Sequence, residues 1–220
     1  MYVFLIPENR CVTYIVKQKN KKYKVISAAM RLSEINLQVS HSKGVNYSDC
    51  LTIGHVGRFS EPKNHKFIID IVSVLVSDGV NVKCILVGDG PLKNEVQRYI
   101  TNRKLDQYIE ILDNVIDITK VLCKFNIFLF PSKFESLPVA LLEAQAAGIK
   151  CVISKDITVD ADIFQDIVTR VSLNNSPEFW AGSILAISDI SYNRNELTRR
   201  VRESKFNIDN VTINIKKCYE

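Results

Sequence analysis

Two carboxylates eight positions apart follow a short apolar run, residues 127–130, in the stretch Pro131-Ser132-Lys133-Phe134-Glu135-Ser136-Leu137-Pro138-Val139-Ala140-Leu141-Leu142-Glu143. Glu135 falls in the loop after the run. Glu143 falls more than one turn inside a helix otherwise made of Ala and Leu, where an ionised carboxyl must find donors. Two vicinal hydroxyls, as on a ribose or another sugar ring, donate to its two oxygens. A salt bridge or a solvent-facing position also accounts for Glu143, and a loop surface charge for Glu135. The backbone around 137–139, at the start of that helix, offers N–H groups to phosphate oxygens.

A second loop, Gly57-Arg58-Phe59-Ser60-Glu61-Pro62-Lys63-Asn64-His65, places two cations on a turn that leads into a helix start. Arg58 and Lys63 beside exposed backbone N–H groups make a seat for a diphosphate; two ordinary surface cations fit the same spacing. Gly88-Asp89-Gly90-Pro91 ends a third apolar run, and its glycines either admit a ligand to the backbone or make the turn. Position 93 is Lys, so this is not GxGxxG, and no GxxxxGK[ST] occurs. The dinucleotide-dehydrogenase and P-loop readings lose their main support.

The elements that must hold these loops are legible from Leu51 onward. Strands are expected at 52–56, 82–87, 108–112, 127–130, 151–153 and 167–172: short, rich in Val, Ile, Leu and Phe, and bounded by turn residues. Helices are expected from Pro62 to about Ser77 with Ser60 as a cap, after Pro91, and over 115–124, 138–147, 177–188, 195–206 and 209–219. The alternation predicts an α/β domain, a doubly wound parallel sheet of Rossmann-like type with closing C-terminal helices, over 51–220. In such a sheet ligands bind beyond the carboxyl ends of the strands, where the loops above lie. Residues 1–50 show patchy apolar segments (2–6, 12–16 and 23–30) separated by lysines, and read as an atypical basic flank.

The 220 residues are 46% hydrophobic and 24% charged, which argues against wholesale disorder and coiled coil. No apolar run approaches the roughly 20 residues of a membrane span, and the start, Met1 to Ile6, is too short for a signal peptide and has no basic region before it. The chain is therefore expected in the cytoplasm. Six cysteines, with no CxxC and no zinc-ligand spacing, read as small buried hydrophobes in a reducing compartment. The net charge of +5 resides in residues 1–50, centred on Lys17, Lys19, Lys21, Lys22 and Lys24, and the rest balances to zero. Without interleaved aromatics this cluster is expected to be a solvated flank and no nucleic-acid site, with peripheral contact to anionic lipid at the inner membrane face as the other reading. Asp160-Ala161-Asp162 is a DxD, but chance pairs of this kind are common among 24 acids, and no metal is expected there. His55 reads as a packed core residue, His65 as a secondary neighbour of the phosphate seat and Trp180 as a core anchor.

Taken together, Gly54-His55-Val56-Gly57-Arg58-Phe59 with Lys63-Asn64-His65, Leu86-Val87-Gly88-Asp89-Gly90-Pro91-Leu92, Phe130-Pro131-Ser132 leading to Glu135 and Glu143, and Glu143-Ala144-Gln145-Ala146-Ala147-Gly148 resemble a known family. The chain resembles the C-terminal, donor-binding half of a retaining glycosyltransferase of the two-domain GT-B fold, glycosyltransferase family four, of the capsular and exopolysaccharide type. The resemblance implies that Arg58 and Lys63 neutralise the diphosphate of a nucleotide-sugar in place of a metal, so no cofactor is expected. It implies that Glu135 holds the donor sugar near its anomeric carbon and that Glu143 binds the ribose diol. Gly57, Gly88 and Ser136 would belong to the donor site, Leu137, Pro138 and Val139 would lie near the phosphates, and Asp117 near the base.

Three departures stand out. Ser136 replaces the usual Gly, Leu112-Asp113-Asn114 lacks the usual Gly, and no acceptor-binding domain precedes residue 51. The expected function is transfer of a glycosyl group, with retention, to a polysaccharide or lipid-linked acceptor. A separate acceptor-domain polypeptide would then complete the site; alternatively the chain is an inactive truncated remnant or a nucleotide-sugar-binding module.

Overall fold

The computed structural model describes residues 3–8, 11–17, 23–41, 50–113, 115–188 and 190–216. The patchy apolar segments at the start form an antiparallel meander of β1 (Val3–Glu8), β2 (Cys11–Lys17) and β3 (Tyr23–Ala29), in that order. Lysines between the segments hid this alternation from a reading by period alone. Helix α1 (Leu32–His41) follows. Lys19, Lys21 and Lys22, with the side chains of Lys17 and Lys24, lie outside the described residues.

The remaining strands are β4 (Leu51–Val56), β5 (Val82–Val87), β6 (Ile109–Leu112), β7 (Ile127–Phe130), β8 (Lys150–Ser154) and β9 (Val168–Val171). They form one parallel sheet in the order β6-β5-β4-β7-β8-β9. Each runs within a residue or two of its expected span. The alternation of side chains divides them between two apolar cores. Ile85, Val87, Phe128, Phe130, Cys151 and Ile153 face one core, with α4 (Ile118–Leu122), α5 (Val139–Ala146) and α7 (Arg194–Glu203). Ile53, Cys84, Leu86, Ile127, Leu129 and Val152 face the other, with α2 (His65–Ser77), α3 (Lys93–Asn102) and α6 (Pro177–Ser188). Trp180 is fully buried in the second core and donates its indole N–H to the Ser172 carbonyl at 3.1 Å. Cys84 and Cys151 are fully buried, and desolvation pushes the Cys84 thiol up to about 12.

Helix α1 docks on this domain. Met30 and Leu32 are buried in the α5 core. Asn36 donates to the Ala146 carbonyl at 2.9 Å and accepts from the Thr198 hydroxyl at 3.1 Å, joining α1 to α5 and α7. Met30 also exchanges backbone hydrogen bonds of 2.9 Å with Phe206 and Ile208, at the start of α8 (Ile208–Lys216). Among the described residues, no helix is long and apolar enough to cross a membrane.

Two expected helices differ. The run from Pro62 to Ser77 is broken: Glu61–Lys63 is a 3-10 turn, Asn64 adopts the left-handed conformation (φ 58°, ψ 42°), and α2 begins at His65. Asn tolerates that conformation better than most residues, so a turn forms where Pro62 alone suggested continuous helix. Ser60 makes no side-chain cap, its hydroxyl donating instead to the Arg58 carbonyl at 3.3 Å. Helix α4 is confined to Ile118–Leu122, opened by the Asp117 carboxylate, which accepts from the Thr119 N–H at 3.1 Å.

The sheet order reverses direction between β4 and β7. The loops leaving the carboxyl ends of these two central strands therefore diverge and leave a crevice, the position where open α/β sheets take ligands.

Candidate active site

The two loops at this switch point are tied together by side chains far apart in sequence. The Lys63 ammonium donates to Glu135 Oε1 at 2.6 Å, the two side chains being 20% and 9% exposed. The Lys63 Nζ also lies 5.2 Å from the Phe130 ring centroid. Below this pair, the Lys133 N–H donates to the Pro62 carbonyl at 2.8 Å, and the Asn64 amide to the Pro131 carbonyl at 3.2 Å. The left-handed turn at Asn64 is what brings Lys63 back over the end of β7. A reading by motif gave Asn64 no role; its place after Pro-Lys in a turn was the only signal.

The predicted site residues fall as follows. Lys63 and Glu135 are in direct contact. Arg58 is exposed on the same loop as Lys63 and, among the described residues, makes no ion pair. Gly57 donates its N–H to the Val87 carbonyl at 2.9 Å, and a Cβ on Gly88 would come within 2.1 Å of the Gly57 carbonyl oxygen. The ends of β4 and β5 are thus in backbone contact. Ser136 is exposed; among the described residues only Asn64 and Lys104 combine a side chain with positive φ, so Ser136 sits in ordinary backbone.

Pro138 is buried, with Leu137 and Val139 half-buried beside it. The Val139 N–H is already taken by the Leu137 carbonyl at 2.9 Å, which removes one of the donors expected at this helix start. Glu143 is only 4% exposed in α5, which excludes the solvent-facing alternative. Asp117 uses its carboxylate to cap α4. In the Asp160-Ala161-Asp162 stretch, Asp162 pairs with Arg170 at 2.7 Å and Asp160 with Lys205 at 3.5 Å, and among the described residues no acidic, His or Cys cluster is arranged to hold a metal.

Gln145, which carried no role in the sequence reading, is fully buried and saturated. It donates to the Ala161 carbonyl at 2.8 Å and accepts from the Ile163 and Phe164 N–H groups at 2.8 and 3.3 Å. It binds α5, the helix that carries Glu143, to the loop after β8.

Beneath Lys63 lie two buried histidines. His55 is fully buried, as expected for a core residue, and His65 is 3% exposed. Their rings meet edge to face at 4.9 Å, and His65 stacks on Phe59 at 4.2 Å. The His55 Nδ1 lies 2.9 Å from the Leu129 carbonyl, which can only accept, so that nitrogen carries the proton. Desolvation, then the neighbouring His65, pushes His55 well below the usual imidazole range. Desolvation, then the Lys63 charge, pulls His65 from 6.5 to about 4.

Both rings are thus neutral in the folded protein at pH 7. Below about pH 6.5 the unfolded chain binds protons that the native chain refuses, so stability falls with pH down to about 4. The His65 contribution alone is about 2 kcal/mol lost by pH 5. Urea unfolding at pH 7 and 5 checks this: the midpoint is expected to drop, and less so in His65→Phe, which keeps the stack but cannot titrate. An equal drop of the midpoint in the two proteins would contradict it.

Residues 50–189 match the family described as glycosyl transferases group 1. The putative glycosyltransferase EpsF of Bacillus subtilis is 39% identical over 62% of this chain and 36% of its own length. The capsular polysaccharide biosynthesis glycosyltransferase CapH of Staphylococcus aureus is 26% identical over 90% of this chain and 54% of its own. The chain thus spans about a third to a half of these relatives. Among solved structures, Anabaena HepE in complex with UDP and glucose superposes with a TM-score of 0.64 at 17% identity, over 89% of this chain and 56% of HepE. That likeness is one of fold, the GT-B architecture. With a match over most of its length to the group 1 model, and with this sheet order, the chain belongs to the group 1 glycosyl transferases.

Proposed function

We propose that the crevice between the β4 and β7 loops binds a nucleoside diphosphate sugar, and that the chain contributes this donor site to glycosyl transfer. The observation that carries the reading is the direct Lys63–Glu135 contact at the sheet's switch point, which puts a cation and a carboxylate of opposite tasks within one hydrogen bond. Lys63 and Arg58 neutralise the diphosphate and stabilise it as it leaves, the electrostatic task that a divalent ion performs elsewhere. Glu135 orients hydroxyls of the donor sugar, and Glu143 receives the ribose diol. Transfer proceeds with retention, the acceptor approaching the face from which the diphosphate departs. The acceptor is a polysaccharide or lipid-linked saccharide, a reading supported by the capsular assignment of CapH.

Positioning of the acceptor and exclusion of water fall to a second, acceptor-binding half. A second reading is a donor-binding module without transfer activity. Both are tested by incubating the protein with radiolabelled UDP- and GDP-sugars, with and without the product of the adjacent upstream reading frame. Sugar release or transfer that appears only with both polypeptides supports the split enzyme. Tight nucleotide binding with no turnover in any combination supports the module.

A further inference from the structure

Seven buried side-chain polar atoms lack a hydrogen-bond partner among the described residues, and three belong to the His55–His65 pair: His55 Nε2 and both ring nitrogens of His65. Orphaned polar atoms are rare in a native core and call for a reason. A Cβ on Gly57 would lie 3.0 Å from His55 Nε2 and 3.2 Å from the Lys63 Cδ, so the His55 imidazole and the lysine stem both border Gly57. His55 is itself fixed by the Leu129 carbonyl and by the Phe128 and Phe130 rings, 6.3 and 5.7 Å away.

The charged groups around the pair are few. Lys63 lies above it, paired with Glu135. On the α3 side, His65 borders a cavity of about 60 Å³ shared with Glu61, Lys66 and Glu95. There Glu61 is held by Lys133, and Glu95 by Lys66. Among the described residues, Lys63 is the cation that bears on both rings.

Resting on the donor-site reading above, we propose that His55 and His65 are positioning residues for Lys63 and that protonation of His65 is coupled to diphosphate binding at that lysine. With the crevice empty, a proton on the His65 imidazole adds a second positive charge near Lys63, and the two repel. A diphosphate on Lys63 brings negative charge that offsets the repulsion, so the filled site accepts the proton more readily. By linkage the same proton tightens the diphosphate. The neutral pair meanwhile gives the Lys63 stem an apolar floor without a competing charge.

The sequence contains three histidines, His41, His55 and His65, so ring-labelled histidine NMR resolves each titration in the full chain. The probe is UDP, with GDP as a second arm. On saturation with UDP, the His65 midpoint is expected to rise by about one pH unit, the effect of an added opposite charge. In Lys63→Met it should rise without any nucleotide and then fail to respond to UDP.

Calorimetry at about pH 5 in two buffers of different ionisation heat gives an independent readout: proton uptake on UDP binding should be smaller in His65→Phe than in the wild type. That variant replaces two orphaned nitrogens by carbon and keeps the stack on Phe59, so it is expected to fold. UDP binding with an unmoved His65 midpoint and equal uptake would overturn this inference and leave the donor site standing. No binding of UDP or GDP at any pH would overturn the donor site itself.

Discussion

Lys63→Ala is expected to weaken UDP binding by about ten- to a hundredfold. A charge-assisted hydrogen bond to a ligand anion contributes roughly 1.5–3 kcal/mol, and each 1.4 kcal/mol is a factor of ten. Lys63 is the cation that the Asn64 turn holds over the end of β7, and no other described cation is in contact with Glu135. Its removal also leaves a carboxylate that is only 9% exposed without its counter-charge, so the β4 and β7 loops lose one of their links. Arg58→Ala, on the exposed part of the same loop, should cost less and leave an affinity that varies less with salt than the wild type's. Isothermal titration with each variant, beside a thermal melt to confirm folding, checks the order. Equal affinities for Lys63→Ala and wild type would remove Lys63 from the site.

Gly88→Ala is expected to be among the most destabilising single substitutions in the domain. Gly88 has φ of 144°, a conformation that L side chains rarely adopt. A Cβ there would lie 2.1 Å from the Gly57 carbonyl oxygen, a backbone atom held by the Gly57 N–H bond to Val87. One of the two strand ends must therefore move. Backbone strain alone costs about 1–3 kcal/mol, and displacement of a paired strand end adds to it. A total of about 3 kcal/mol lowers the melting temperature by roughly 6–12 °C in a domain of this size. The displaced end of β4 carries Arg58 and Lys63, so affinity for UDP should fall with stability. A melting point within about 2 °C of wild type would contradict the described geometry.

These two cases also mark what could be read from residues alone. All six parallel strands were legible because strands buried on both faces concentrate Val, Ile, Leu and Phe into short runs that turn residues delimit. The loops at their carboxyl ends were legible for the same reason, since a strand's end fixes where its loop begins. The meander at the start was not, because lysines interrupt its apolar segments. The left-handed Asn64 was masked by Pro62, a common helix opener. The Lys63–Glu135 contact joins residues 72 positions apart, and Gln145 works through backbone groups 16 to 19 positions away. Such partners are set by topology and depth within the core, which spacing along the chain does not encode. His55 was legible as a core residue, but its perpendicular contact with His65 follows only from the way α2 returns across the end of β4.

The most direct test is a backbone amide NMR titration of the full chain with UDP and GDP. One of them should shift resonances of residues 57–63, Gly88 and 135–143 together, saturably, with shifts lost in Lys63→Ala. Shifts confined to the flank at 17–24 or to the surface at Asp160, Arg200 and Lys205, with the β4 and β7 loops unmoved, would show that this crevice is not where the nucleotide binds.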